Sequence, residues 1–232
     1  MAAPAKDSTL GGSNTAELRA ALLDQLVKHA YFWRPDNPFQ LTSGKTSPEY
    51  IDCKLALSQP EAMAALGRLV LSHLDPTVTA IGGLTMGADP IAMSTAQASA
   101  TTEHPVRWFS VRKEPKAHGQ RKLVEGDVRP GERVAIVDDV VTTAKSTLQA
   151  LKTCVGEELK LKVAQIIVLV DREESNGLQT LRDAAAKAAG GEVPVVAIFR
   201  KSDIVNEWRR RNALETSAGT RSTSSGRASE PD

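Results

Sequence analysis

Apolar positions along this chain switch repeatedly between helical and strand spacing. After Asn14 and Glu17, a capping pair, Leu18, Leu22 and Leu26 recur every four residues and predict a helix. Phe39 to Ser43 and Tyr50 to Cys53 read as short strands around the turn SGKTSP. Pro60 suits the first turn of a helix reaching about Leu74. Strand VTAIGG (78–83), helix ADPIAMSTAQASA (88–100) and strand VRWFSVR (106–112) follow, and then a long polar stretch. The second half continues with strand RVAIVDD (133–139), a helix from about Lys145 to Val155 and strand KVAQIIVLVD (162–171). An Ala-rich helix (178–189), strand PVVAIF (194–199) and a helix from about Asp203 complete the pattern.

Segments such as AIVD and QIIVLV are apolar without interruption and are separated by helices. Strands of that kind are buried on both faces, which predicts an α/β domain with a central, mostly parallel sheet flanked by helices. Its span is 14–215; the flanking segments 1–13 and 216–232 are small and polar, have little to bury and are expected to be disordered. Ligands of such sheets collect at the carboxyl ends of the strands. There the chain places GGLTMGAD, VRKEPKAHG, DDVVTTAKST and VDREESNG.

Composition narrows the partners. Lys plus Arg (29) nearly balance Asp plus Glu (28), so any electrostatic function is local. Aromatics, at 4%, are too few for a base-stacking surface, and no nucleic-acid partner is expected. Cys53 and Cys154 are far apart, which fits a reducing compartment, and the four histidines form no metal-site spacing. No apolar run reaches the ~20 residues of a membrane span. The start, MAAPAKDSTLGGSN, lacks a signal-peptide core, so a cytoplasmic location is expected.

The sharpest chemical signal is RVAIVDDVVTTAKSTLQAL. A buried strand ends in Asp138 and Asp139, and a loop of small hydroxyl residues then opens into a helix. Backbone N–H groups at that helix start, with Thr142, Thr143, Ser146 and Thr147, make a site for a phosphate monoester. Adjacent carboxylates on an extended backbone point apart, so they are free to accept from vicinal sugar hydroxyls or to hold a hydrated cation. Neither GxxxxGK[ST] nor GxGxxG is present, which removes the P-loop and the dinucleotide fingerprint. A second signal is the basic segment FSVRKEPKAHGQRKLVEG (109–126), with Arg112, Lys113, Lys116, His118, Arg121 and Lys122. A long polar connection of this kind is typically a functional lid, and its cations suit a polyphosphate leaving group.

The sequence VAIVDDVVTTAKST resembles the signature of type I phosphoribosyltransferases, which bind 5-phosphoribosyl 1-pyrophosphate (PRPP). LTSGKTSPEYIDCK (41–54), RKEPKAHG and VDREE are similar, in that order, to motifs of the orotate phosphoribosyltransferases, and the resemblance covers about residues 15–210. It implies the type I phosphoribosyltransferase fold with a small N-terminal hood and a flexible catalytic loop. It also implies transfer of the phosphoribosyl group from PRPP to orotate, giving orotidine 5′-monophosphate in pyrimidine synthesis.

By the same resemblance, Lys113, Lys116 and His118 contact pyrophosphate, with Arg112 beside them. Asp138 and Asp139 hold the ribose hydroxyls, and Thr142, Thr143, Ala144, Lys145, Ser146 and Thr147 seat the 5-phosphate. Thr142 and Arg172 bind orotate, Lys45, Ser43 and Gly44 lie beside it, and Tyr50-Ile51 packs beneath. Lys116, His118, Asp138 and Asp139 are the catalytic candidates. Mg²⁺ is expected to bind mainly through PRPP, and a homodimer to use its loops in trans.

The family commonly has glycine at Ala144 and Lys145. Ala144 serves if its conformation is helical; Lys145 adds charge to the phosphate or faces solvent. Thr42 and Met86 stand where many members carry lysine. Gly82, Gly83 and Gly87 offer backbone donors to pyrophosphate or simply form a strand-to-helix turn. A phosphoribosyltransferase for another base shares the acidic pair but has no use for RKEPKAHG or Arg172. A PRPP-sensing regulator would need a basic face or an added module.

Overall fold

The computed structural model describes residues 12–40, 44, 46–115 and 122–223, with side chains between 14 and 214. Thr42, Ser43, Lys45, Lys116, His118 and Arg121 lie outside the described residues. Helix α1 (Gly12–Gln25) widens into a π-helical turn over Leu26–Ala30. Asn14 sits inside this helix, because Gly12 and Ser13 already continue it, so the expected capping pair does not mark its start.

Two small antiparallel ribbons follow, forming the expected hood. One pairs β1 (Tyr31–Trp33) with β4 (Glu49–Ile51), and the other pairs β2 (Phe39–Gln40) with β3 (Thr46–Ser47). Strands β1 and β3 escape the sequence pattern because two or three residues are too few for alternation to register. The short α2 (Cys53–Leu57) is capped by Asp52, whose carboxylate accepts from the Lys54 backbone N–H at 3.2 Å. Helix α3 (Pro60–His73) begins on its proline, which needs no intrahelical donor.

The remaining elements are β5 (Ala80–Leu84), α4 (Ala88–Ser99), β6 (Arg107–Val111), β7 (Val124–Gly126), β8 (Arg133–Val141), α5 (Lys145–Val155), β9 (Lys162–Asp171), α6 (Gly177–Ala189), β10 (Val195–Arg200) and α7 (Lys201–Thr223). Strand β7 interrupts the stretch expected to be loop; it is a three-residue edge strand in which Val124 alone packs on the core, too little for a pattern to announce it. The backbone of α7 continues as helix to Thr223, beyond position 215, where composition predicted order to end.

Strands β10-β9-β8-β5-β6-β7 form one sheet in that order, parallel except for the antiparallel edge strand β7. Successive residues of β8 face opposite layers. Val134 and Ile136 join the core beneath α5 and α6, while Ala135 and Val137 join the one beneath α2, α3 and α4. That parity orients the residues at the end of the strand.

Candidate active site

Strand order reverses between β5 and β8: β6 and β7 lie beyond β5, and β9 and β10 beyond β8. In open parallel sheets the crevice for ligands opens at the carboxyl ends on either side of such a reversal. Asp138 and Asp139 stand there.

The pleat sends the two aspartates to opposite layers. Asp138 faces α5, where the Thr147 hydroxyl donates to its Oδ2 at 2.6 Å. Asp139 faces the hood side, where Lys54 Nζ lies 3.8 Å from its Oδ2. Both still converge on Gly87: a Cβ at that position would collide with the Asp139 carboxylate and come within 3.2 Å of Asp138 Oδ1. Burial pushes both carboxyls above the usual range, and the Asp139 charge pushes Asp138 further. Each carboxylate already accepts from the protein, Asp138 from Thr147 and the Asp139 N–H and Asp139 from the Val140 N–H, but two neighbouring carboxyls held above their usual range gain from the further donors or positive charge that a sugar diol or a cation supplies. Burial pulls the Lys54 ammonium down, but its contact with Asp52 at 2.6 Å and the charge of Asp139 raise it above its ordinary value.

The loop after the pair departs from expectation at two residues. Ala144 is left-handed, with φ 65° and ψ 4°, and not helical. Its chain path is one that glycine adopts freely and that an L-residue adopts at a cost. Thr147 is 1% exposed and its hydroxyl is committed to Asp138, so it positions the acid and does not face a phosphate. Thr143, Lys145 and Ser146 are exposed at the start of α5, and Thr142 is half-buried. First-turn N–H groups of a helix lack intrahelical partners, which leaves them for an anion.

Gly82 and Gly83 are buried strand residues and not loop donors. A Cβ on Gly82 would collide with Phe109, and one on Gly83 with the Val137 carbonyl, so both serve sheet packing. Gly87 alone of the three borders the acidic pair. Asp89 fastens its turn, accepting from Thr85 Oγ1 at 2.6 Å and from Ser110 Oγ on β6 at 2.7 Å.

Arg172 follows β9, and its backbone N–H donates to the Val141 carbonyl at 3.0 Å, beside the acidic loop. Its Nε is buried without a hydrogen-bond partner, and its Nη2 lies 3.4 Å from Glu174 Oε1. Gly177 lets this turn approach the loop, since a Cβ there would collide with the Thr142 carbonyl. Tyr50 belongs to β4 and stacks on Phe39 with ring centroids 5.2 Å apart. On the basic segment, Arg112 contacts Glu125 at 3.5 Å; Lys113 is exposed, and its carbonyl accepts from Gln149 Nε2 of α5 at 2.9 Å.

Thus Asp138, Asp139, Thr142, Thr143, Ala144, Lys145, Ser146 and Arg172 gather around the ends of β8 and β9. Lys54, Asp89 and Gly177 escaped the sequence reading. Each lies inside a quoted segment (YIDCK, GGLTMGAD, ESNG), but its role depends on contacts between elements far apart in the chain. Among the described residues no group of three or more His, Cys, Asp or Glu side chains is placed to hold a metal ion. No helix among them is long and apolar enough to cross a membrane.

No protein-family model matches the chain. It is 38% identical over 187 residues to the orotate phosphoribosyltransferase of Aquifex aeolicus, covering 79% of this chain and 96% of that one. With the orotate phosphoribosyltransferase of Synechocystis sp. it shares 40% identity over 172 residues, 72% of this chain and 84% of the relative. The crystal structure of Mycobacterium tuberculosis orotate phosphoribosyltransferase with Fe(III) dicitrate superposes with a TM-score of 0.64 at 28% identity, covering 81% of this chain and 98% of that one. Its complex with PRPP gives a TM-score of 0.58 over the same shares.

Proposed function

Because this chain belongs to the orotate phosphoribosyltransferase family, we propose that it transfers the 5-phosphoribosyl group of PRPP to orotate, forming orotidine 5′-monophosphate and releasing pyrophosphate. The observation that carries the site assignment is the pair of adjacent aspartates, one buried and one half-buried, at the mouth of an anion-binding helix start.

In this reaction Asp138 and Asp139 accept hydrogen bonds from the ribose hydroxyls, with Thr147 fixing the first carboxylate. The 5-phosphate sits on the N–H groups of the 142–147 turn, assisted by Thr143 and Ser146. Orotate lies over Tyr50, and the Arg172 guanidinium meets its carboxylate. That buried guanidinium favours an anionic base over a neutral one. The anomeric C–O bond breaks with its electron pair leaving on pyrophosphate, positive charge builds on the ribose, and the orotate ring nitrogen attacks from the opposite face, its proton passing to solvent. Arg112, Lys113, Lys116 and His118 hold the departing charge; losing one such preorganised group costs on the order of 3 kcal/mol. Loop closure keeps water from the sugar.

The donor set fits Mg²⁺ only as a shared ligand. Among the described residues no third acid joins the two carboxylates in a group placed to hold a metal, so most ligands would come from PRPP and water, as this ion prefers. Bound there, the ion supplies charge neutralisation to the leaving group. The active species is a homodimer in which one subunit's basic loop covers its neighbour's site.

A spectrophotometric assay of orotate loss with PRPP and Mg²⁺ tests the function. Loss that needs every component, and that fails with uracil or adenine in place of orotate, is expected. Turnover of a neutral base in preference to orotate refutes the assignment.

A further inference from the structure

Lys201 opens α7 at the end of β10, where Arg200 pairs with Asp171 of β9. Its ammonium is tethered to Glu49 Oε2 at 2.9 Å, on the residue just before Tyr50. Glu49 is itself held by the Tyr31 hydroxyl, which donates to Oε1 at 3.2 Å. On its other side Lys201 reaches Glu174, whose Oε1 is 3.6 Å from Lys201 Nζ and 3.4 Å from Arg172 Nη2. One carboxylate oxygen is therefore shared by two cations, accepting a long hydrogen bond from Arg172 Nη2 and lying in ion-pair range of Lys201.

This sharing matters because Arg172 keeps a buried Nε without a partner. A guanidinium and a carboxylate favour two parallel hydrogen bonds, and Glu174, two residues away, already makes one of them. We propose that Lys201 is a positioning residue for the base site: by drawing on Glu174 it keeps the Arg172 guanidinium open to the carboxylate of the incoming base. The proposal deepens the assigned function and rests on its use of Arg172.

Replacing Lys201 by Met leaves Glu174 free to close on Arg172, so the internal acid competes with the substrate. A partly exposed ion pair of this kind sets the scale, and KM for orotate is expected to rise about 3- to 10-fold. The KM for PRPP and the melting temperature stay unchanged, and Lys201→Arg behaves close to the parent protein. Two double variants separate this mechanism from a simple change in local charge. Lys201→Met with Glu174→Gln removes the competing acid and restores the orotate KM. Lys201→Met with Glu49→Gln restores the same net charge but leaves Glu174 in place, so its KM stays high. Rescue by both doubles, by neither, or a parallel rise in both KM values overturns the proposal. Orotate turnover by the unaltered protein tests the assigned function separately, because it does not depend on Lys201.

Discussion

A methyl group at position 144 occupies a left-handed conformation that costs an L-residue about 1–2 kcal/mol, yet the side chain is 4% exposed and packed in the core. Ala144→Gly relieves the strain but gives up roughly 0.8 kcal/mol of methyl burial and frees the unfolded chain, so stability changes by less than about 1 kcal/mol. Ala144→Val places a branched side chain in the same conformation and is expected to cost ~2 kcal/mol or more by urea unfolding, and to weaken PRPP binding. Equal stability of the two variants would show that the turn is not held left-handed. Asp138 offers a pH test. Burial raises its carboxyl from 3.8 to about 7, so between those values the folded state holds a proton that the unfolded chain has released. This contribution to stability is complete below the unfolded value and is lost as pH rises through about 7. Asp138→Asn should therefore melt ~2–4 °C above the parent protein at pH 8, with the gap closing at pH 4. A gap of the same size at both pH values contradicts the burial argument.

At the scale of elements, the site depends on turns that touch. The turn between β9 and α6 reaches the acidic loop because Gly177 lies against the Thr142 carbonyl. Gly177→Ala should push Arg172 and Thr142 apart and lower kcat/KM for orotate ~10- to 100-fold while circular dichroism stays unchanged; an active variant would show that the two turns work independently. The central elements were legible in sequence because β5, β8, β9 and their helices carry sustained apolar periodicity and lie in βα order. The acidic pair was legible too, since two contiguous acids after a buried strand have few structural uses. The hood strands β1 and β3 and the edge strand β7 were not, being only two or three residues long. The Thr147 hydroxyl turns to Asp138 and not to the loop's open face, a choice that looks the same in sequence. The conformation of Ala144 is set by the joining of β8 to α5, and no local propensity announces it.

For the whole molecule, the proposed homodimer makes each site a joint product of two chains. Lys116→Ala and Asp139→Asn should each lose most turnover alone. Mixed after dissociation and reassembly, they should recover about a quarter of parental activity, because half of the dimers then carry one site with both parts intact. No recovery from proven hybrids would place the basic loop over its own subunit's site. The account as a whole stands on what the aspartate pair binds, and the most direct measurement is a crystal structure with ribose 5-phosphate. It predicts the ribose hydroxyls within hydrogen-bond distance of Asp138 and Asp139 and the phosphate on the 142–147 turn. Sugar bound elsewhere, with Asp139 still facing Lys54 and the turn vacant, would contradict it.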